Sequence, residues 1–228
     1  MDSLVIIPAR AGSKGVPRKN IKLLDGKPLI KYTIDAALEV FDSNQIIVST
    51  DSPDIKHVAE QSGLVVPFLR PDHLATDNAS SQDVIIHAMN YCISNYAYKP
   101  NTIVLLQPTS PFRKGKHIKA ALELYDPSLD MVVSVKETDA NPYYVLYEED
   151  EEKFLRKSKS SNAKRRQDVP KVWELNGAIY IINPESIKTK EIGQFDKVIK
   201  YEMDSMSSID IDTPIDWEIA EIISKKIW

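Results

Sequence analysis

The chain has 228 residues, 43% of them hydrophobic and 27% charged, with a formal net charge of −4. That size and balance suit a single globular domain, 1–228, and the charge argues against general nucleic-acid binding, which favours a basic chain. No apolar run approaches the roughly 18 residues that span a bilayer, Asp2 and Ser3 stand where a leader would carry basic residues, and a single cysteine, Cys92, excludes an internal disulfide or a cysteine-based zinc cluster. The expectation is a cytoplasmic protein with no nucleic-acid or membrane partner.

The chain is organised around its first turn. Residues 4–7, Leu-Val-Ile-Ile, form an unbroken, mostly β-branched apolar run, which suits a strand covered on both faces. Pro8 ends it, and Arg10, Lys14, Arg18 and Lys19 follow, interspersed with Gly12, Ser13 and Gly15. Glycine lets backbone amides approach an anion, and the cations neutralise it. A parallel strand delivers such a loop to the carboxyl edge of its sheet, where ligands of open α/β sheets bind. A polyphosphate site is therefore favoured over a merely solvated basic loop. Neither the dinucleotide fingerprint nor the Walker loop fits: Gly12-Ser13-Lys14-Gly15 gives only G-x-x-G, and no Gly-Lys-Ser/Thr occurs.

A helix is predicted over 28–41, with Ile30, Ile34, Ala37, Leu38 and Phe41 on one face and Pro28 in its first turn. Residues 45–50 read as a strand whose polar end, Ser49-Thr50-Asp51-Ser52, points to the ligand edge; Asp51 is a helix cap before Pro53 or a ligand contact. A short helix over 54–62 ends at Gly63, and 64–69 reads as a third strand. The loop 70–81 is too long for a plain connection, which marks it as functional. Ser80 or Ser81 caps the next helix, whose buried stripe is Val84, Ile85, Ala88, Met89, Cys92 and Tyr96. Residues 102–106 form a strand running into the stiff turn Gln107-Pro108-Thr109-Ser110-Pro111, a good place for a substrate contact from Gln107. A helix over 115–125 and a strand over 131–135 follow. The alternation predicts an α/β fold, a doubly wound and mostly parallel sheet.

The rhythm then breaks. Residues 142–147 are apolar and aromatic, 148–152 read as a hairpin tip, and 157–166 are basic and aperiodic, a solvated flap or an arm toward a partner subunit. Arg165 or Arg166 is placed to meet an anionic substrate. Asn176-Gly177 opens a strand over 178–182, and a short helix over 184–190 follows. In Ser208-Ile-Asp210-Ile-Asp212, a strand would set both aspartates on one face with alpha carbons roughly 6.5 Å apart at about 3.3 Å per residue. Such a pair can share Mg²⁺ with phosphate oxygens. Thr213, with Pro214 and Asp216, makes the better cap for the last helix, which is expected to bury Ile215, Ile219, Ile222 and Ile223. The four histidines show no metal-ligand spacing, and His87 reads as structural.

Together, IIPARAGSKGVPRKN, LRPDHLATDNASS, LLQPTSPFR, RRQD…NGAIY and SIDIDTPID resemble the acylneuraminate cytidylyltransferases from end to end. The resemblance implies a Rossmann-like nucleotidyltransferase fold with a small β dimerisation insertion near 137–170, a homodimer, and Mg²⁺. It implies CTP and an acidic nine-carbon sugar, a nonulosonic acid, giving the CMP-sugar and pyrophosphate. Position by position it implies triphosphate contacts at Arg10, Ser13, Lys14 and Lys19, and cytosine and ribose contacts at Asn20, Arg70, Ala79 and Ser81. It implies sugar contacts at Gln107 and Arg166 and metal carboxylates at Asp210 and Asp212, with Arg10, Lys14 and Asp212 serving catalysis. Some bacterial members carry arginine where Glu174 stands and others an acidic residue nearby, so the resemblance leaves open how the sugar carboxylate is held. Relatives acting on legionaminic or pseudaminic acid fit the same motifs. The 3-deoxy-manno-octulosonic acid enzymes fit less well, because they usually lack the RRQD…NGAIY region. A nucleotide-sugar glycosyltransferase, whose Asp-x-Asp usually falls mid-chain, is the more distant alternative.

Overall fold

The computed structural model describes residues 3–227. β1 (Ser3–Pro8) is buried almost throughout, as its apolar run requires. After the basic loop, β2 (Leu23–Leu24) and β3 (Lys27–Pro28) make a minimal hairpin whose turn residues, Asp25 and Gly26, have positive φ. The chain continues through α1 (Leu29–Leu38), β4 (Ile46–Ser49), α2 (Pro53–Glu60), α3 (Ser81–Tyr96), β5 (Thr102–Leu105), α4 (Gly115–Glu123) and β6 (Met131–Glu137). β7 (Tyr147–Glu149) and β8 (Leu155–Lys157) form a separate hairpin. β9 (Trp173–Ile182), α5 (Pro184–Thr189), β10 (Val198–Glu202) and α6 (Pro214–Ile227) complete it.

Six strands form one sheet in the order β10-β6-β9-β5-β1-β4. β1 runs parallel to β4 and β5, and β6 parallel to β10, while β9 is antiparallel to both its neighbours. The sheet is thus doubly wound and mostly parallel, with one reversed strand. One face packs on α1, α2 and α4 through Ile34, Ile55 and Ile118; the other packs on α3 and α5 through Ile85, Met89 and Ile187. From β1 the chain goes outward to β4, then returns to β5 on the opposite side of β1. The crevice beyond the carboxyl ends of β1 and β5 is the switch point at which α/β sheets bind ligands.

Several elements depart from expectation. Residues 64–69 are extended but form no ladder: Leu64 and Val66 are buried, Val65 is 72% exposed, and Pro67 has no N–H to give. Residues 209–212 likewise lie outside any strand, and Ile211 joins the fold through its N–H to the Thr109 carbonyl at 2.9 Å. Pro28 belongs to the hairpin, and α1 starts one residue later. Tyr96, at the end of α3, is exposed. α6 turns a different face inward from the one its isoleucines mark. Trp217 and Ala220 are buried against Leu24, Leu29 and Phe112, and Ile223 packs partly buried beside them as expected, whereas Ile215, Ile219 and Ile222 are exposed. One tryptophan buries more apolar surface than any single isoleucine, and it sets the rotation of the helix. The hairpin expected around 148–152 is present, and Cys92 is a core residue whose thiol pKa burial pushes up to about 11. No helix among the described residues is long and apolar enough to cross a membrane.

Candidate active site

The loop after β1 is braced from three sides. Ala11 N donates to Asp51 Oδ1 at 2.8 Å, and Asn20 Nδ2 donates to the Arg10 carbonyl at 2.9 Å. Asp51 therefore anchors the loop, and the cap of α2 is Ser52, whose Oγ accepts from Ile55 N. A Cβ placed on Gly15 would overlap the Asp212 carbonyl oxygen, so glycine is required there by packing rather than by φ. Lys19 is 9% exposed, and its Nζ donates to the Ile211 carbonyl at 2.6 Å and to Asp212 Oδ1 at 2.9 Å. The amino-terminal cations and the carboxyl-terminal aspartates thus meet, 193 residues apart in sequence.

The carboxylate segment rests on a buried polar network. Asn176 Nδ2 donates to Ser208 Oγ at 2.9 Å, and Asn176 Oδ1 accepts from Ser134 Oγ at 2.6 Å. This joins β6, β9 and the approach to Asp210 without a strand. Asp210 Oδ1 is buried with no hydrogen-bond partner among the described residues. Burial raises its carboxyl above the ordinary pKa, a hydrogen bond from Thr109 opposes that, and the nearby Asp212 charge adds to it. Asp212 is solvent-open. Gln107 is held by Arg113, a buried arginine whose Nη1 donates to the Gln107 and Ala178 carbonyls at 3.1 and 2.9 Å and whose pKa burial lowers to about 9. The Gln107 Oε1 lies 2.8 Å, and Asp210 Oδ2 3.7 Å, from where a Cβ on Gly177 would stand, so both groups converge on that bare backbone.

Across the crevice, loop 70–81 supplies the other wall. Arg70 is buried beneath it: Nε donates to Ser49 Oγ at 3.0 Å, Nη2 to the Ser49 carbonyl, and burial lowers its pKa to about 10. Ser80 caps α3, its Oγ accepting from Asp83 N at 3.1 Å, and Ser81 is the first helical residue. A polar cavity of about 290 Å³ lies between the walls. Its lining includes Arg10, Ser13, Lys19, Asn20, Arg70, Ala79, Ser81, Gln107 and Asp212, nine positions singled out from sequence. Lys14 is outside the lining; its Nζ and Arg10 Nη1 pair with the two oxygens of Asp77 at 2.8 and 2.6 Å. A larger hollow of about 740 Å³ lies by the amino ends of β1 and β4, among Leu4, Ile47, Cys92 and Tyr96, and brings no such cations together.

Asp210, like Lys14, is outside the cavity lining, and Arg166 is not brought to the crevice. It lies on a short turn, Arg166–Asp168, and pairs with Asp139, while Arg165 pairs with Asp168 at 3.0 Å. Glu174 faces Lys136 across the β6–β9 ladder at 3.3 Å. Sequence reasoning passed over Asp77, Arg113 and Asn176. Arg113 and Asn176 lie inside noticed motifs, and Asp77 inside the overlong loop, but none carries a local signal of its partner.

The profile of a family described as "Cytidylyltransferase" matches residues 4–223. The chain belongs to that family. Among cytidylyltransferases, it is 37% identical over 225 residues to the CMP-N,N'-diacetyllegionaminic acid synthase of Legionella pneumophila, covering 97% of this chain and 95% of that one. It is 38% identical to the N-acylneuraminate cytidylyltransferases of Streptococcus agalactiae serotype V and Escherichia coli O18:K1:H7, over 95% and 98% of this chain. The chain spans about half the length of those two, 52% of each. The solved structure of CMP:2-keto-3-deoxy-manno-octonic acid synthetase in complex with CTP superposes over the full length of both chains, with a TM-score of 0.72 at 17% identity. That likeness places the fold among cytidylyltransferases even where sequence similarity is low.

Proposed function

We propose that this cytidylyltransferase transfers CMP from CTP to the anomeric hydroxyl of a nonulosonic acid, with an N-acylneuraminate as the leading acceptor, and releases pyrophosphate. The observation that carries the reading is the meeting of the β1 loop with Asp212, through Lys19, at one polar cavity that also holds Gln107. Arg10, Ser13 and Lys14 serve the triphosphate, and Asn20, Arg70, Ala79 and Ser81 shape the seat for cytosine and ribose. The anomeric oxygen forms its bond to the α-phosphorus as the α–β anhydride bond breaks, the hydroxyl proton leaves to water, and pyrophosphate departs. Arg10 and Lys14 stabilise the charge growing on that leaving group, and Lys19 holds the carboxylate segment at the transferring phosphate.

Asp210 and Asp212 suit Mg²⁺. Asp210 offers a buried oxygen that no hydrogen bond satisfies, and Asp212 offers a solvent-open carboxylate beside it. No cluster of three or more His, Cys, Asp or Glu forms among the described residues, so phosphates and water would complete the shell, as Mg²⁺ prefers. Bound there, the ion would withdraw charge from the α-phosphate.

The insertion 137–170 serves a homodimer in this reading. Leu146, Tyr147, Phe154 and Leu155 are exposed on it, and apolar side chains grouped on a small hairpin fit a protein interface. From its pairing with Asp139, Arg166 would reach a sugar only after the arm is seated on a partner.

A second reading, N,N'-diacetyllegionaminic acid as acceptor, is favoured by the Legionella relative, 37% identical over 225 residues. Pyrophosphate release from CTP with sialic, legionaminic and pseudaminic acids tests both. Release with one of the first two chooses between the readings. Release with none of the three, at saturating CTP and Mg²⁺, removes the nonulosonate assignment.

A further inference from the structure

Asp77 occupies the position that the proposed function gives to the triphosphate. Its Oδ1 takes Arg10 Nη1 at 2.6 Å and its Oδ2 takes Lys14 Nζ at 2.8 Å, so one carboxylate bridges two of the four cations of the loop after β1. The loop that carries it is held at its ends and, between them, by Arg70 Nη1 donating to the Leu74 carbonyl at 3.4 Å. Arg70 N donates to the Thr50 carbonyl at 2.6 Å at one end, and Ser80 is locked to Asp83 at the other. Between them, Asp77 ties the loop across the crevice to the opposite wall. Hydrogen bonds from Lys14 and Arg10 hold its carboxyl below the ordinary carboxylate pKa. Lys14 and Asp77 are exposed and Arg10 is partly so, and ion pairs open to solvent are weak. The bridge is strong enough to set a resting arrangement and too weak to bar a ligand of higher charge.

We propose that Asp77 is an internal stand-in for polyphosphate: it positions Arg10 and Lys14 in the free protein, yields to the triphosphate of an entering nucleotide, and returns to the cations as pyrophosphate leaves. The proposal rests on the reading of this crevice as a triphosphate site. It makes Asp77 a positioning residue that selects for charge. Cytidine, which has no phosphate, gains nothing from displacing it, whereas a chain of phosphates can outbid one carboxylate at both cations together.

The test is calorimetric titration of inorganic tripolyphosphate, and separately of cytidine, into the wild-type chain and into Asp77→Asn and Asp77→Ser. Removing an exposed internal competitor should tighten tripolyphosphate binding about three- to tenfold in both variants, with cytidine affinity unchanged. Product inhibition by pyrophosphate should tighten in the same proportion, and amide exchange across 71–79 in the free protein should quicken. A residue that merely shaped the loop would weaken tripolyphosphate binding when replaced. Equal or weaker binding by both variants, while the wild type binds, overturns the stand-in and leaves the triphosphate site intact. A wild-type chain that binds neither tripolyphosphate nor CTP overturns the triphosphate site and the stand-in together.

Discussion

Lys19 and Arg166 are both cations marked by sequence motifs, and the structure treats them in opposite ways. Lys19 is buried, with its ammonium fixed by a backbone carbonyl and a carboxylate from the far end of the chain. Arg166 is exposed and pairs with Asp139 on its own arm. The contrast extends to the regions that hold them. Around Lys19, the loop after β1 is braced by Asp51, Asn20 and the contact of Gly15 with residue 212. The arm is held by surface pairs such as Arg156–Asp150, while Phe154 and Leu155 face solvent. A braced site is preorganised for electrostatic work. An arm with exposed apolar residues and surface ion pairs has no comparable bracing among the described residues.

The sharpest way to break this contrast is at the braced end. Asp212→Ala should abolish Mg²⁺-dependent turnover, and near-normal activity across a Mg²⁺ titration would show that the crevice does not perform the transfer. Arg10→Ala should lower turnover by about 10²- to 10³-fold, the usual loss for one aimed donor; a fall of less than about threefold at saturating CTP would remove its role. Gly15→Ala forces a methyl into the Asp212 carbonyl and should lower unfolding free energy by about 1–3 kcal/mol, read by urea denaturation, with turnover falling alongside. At the other end, Leu155→Asp should weaken self-association at least about tenfold, as loss of an interface anchor does, without moving the melting temperature of the isolated chain. A wild type that sediments as a monomer at high concentration contradicts the arm's assignment. The smallest effect is expected from Arg156→Ala, about 0.2–1 kcal/mol as for other exposed pairs, measured by thermal unfolding.

What could be read from the sequence follows the same division. β1, β4, β5 and β6 announce themselves because strands buried on both faces need continuous apolar runs. The reversal of β9 does not, since apolar periodicity carries no strand direction. Residues 64–69 have the composition of a strand and lack a partner, because pairing is a property of neighbours. Three of the four α6 isoleucines face solvent and only Ile223 packs inward, because the tryptophan outweighs the exposed aliphatic side chains. In the crevice, the cations and the aspartates were legible as residue types that suit phosphate and metal. Their partners were not: Lys19 meeting Asp212, or Arg10 meeting Asp77, is decided by tertiary placement.

The bond from Lys19 to Asp212 also has a meaning in time. Synthesis delivers the loop after β1 first and its carboxylate partner 193 residues later, an interval of about 10–40 s at about 5–20 residues per second. During that interval β1, β4 and β5 are all completed, yet the crevice cannot assemble. Catalytic competence would then arrive with the last helix, so a ribosome-bound or truncated product would leave cellular nucleotide pools untouched.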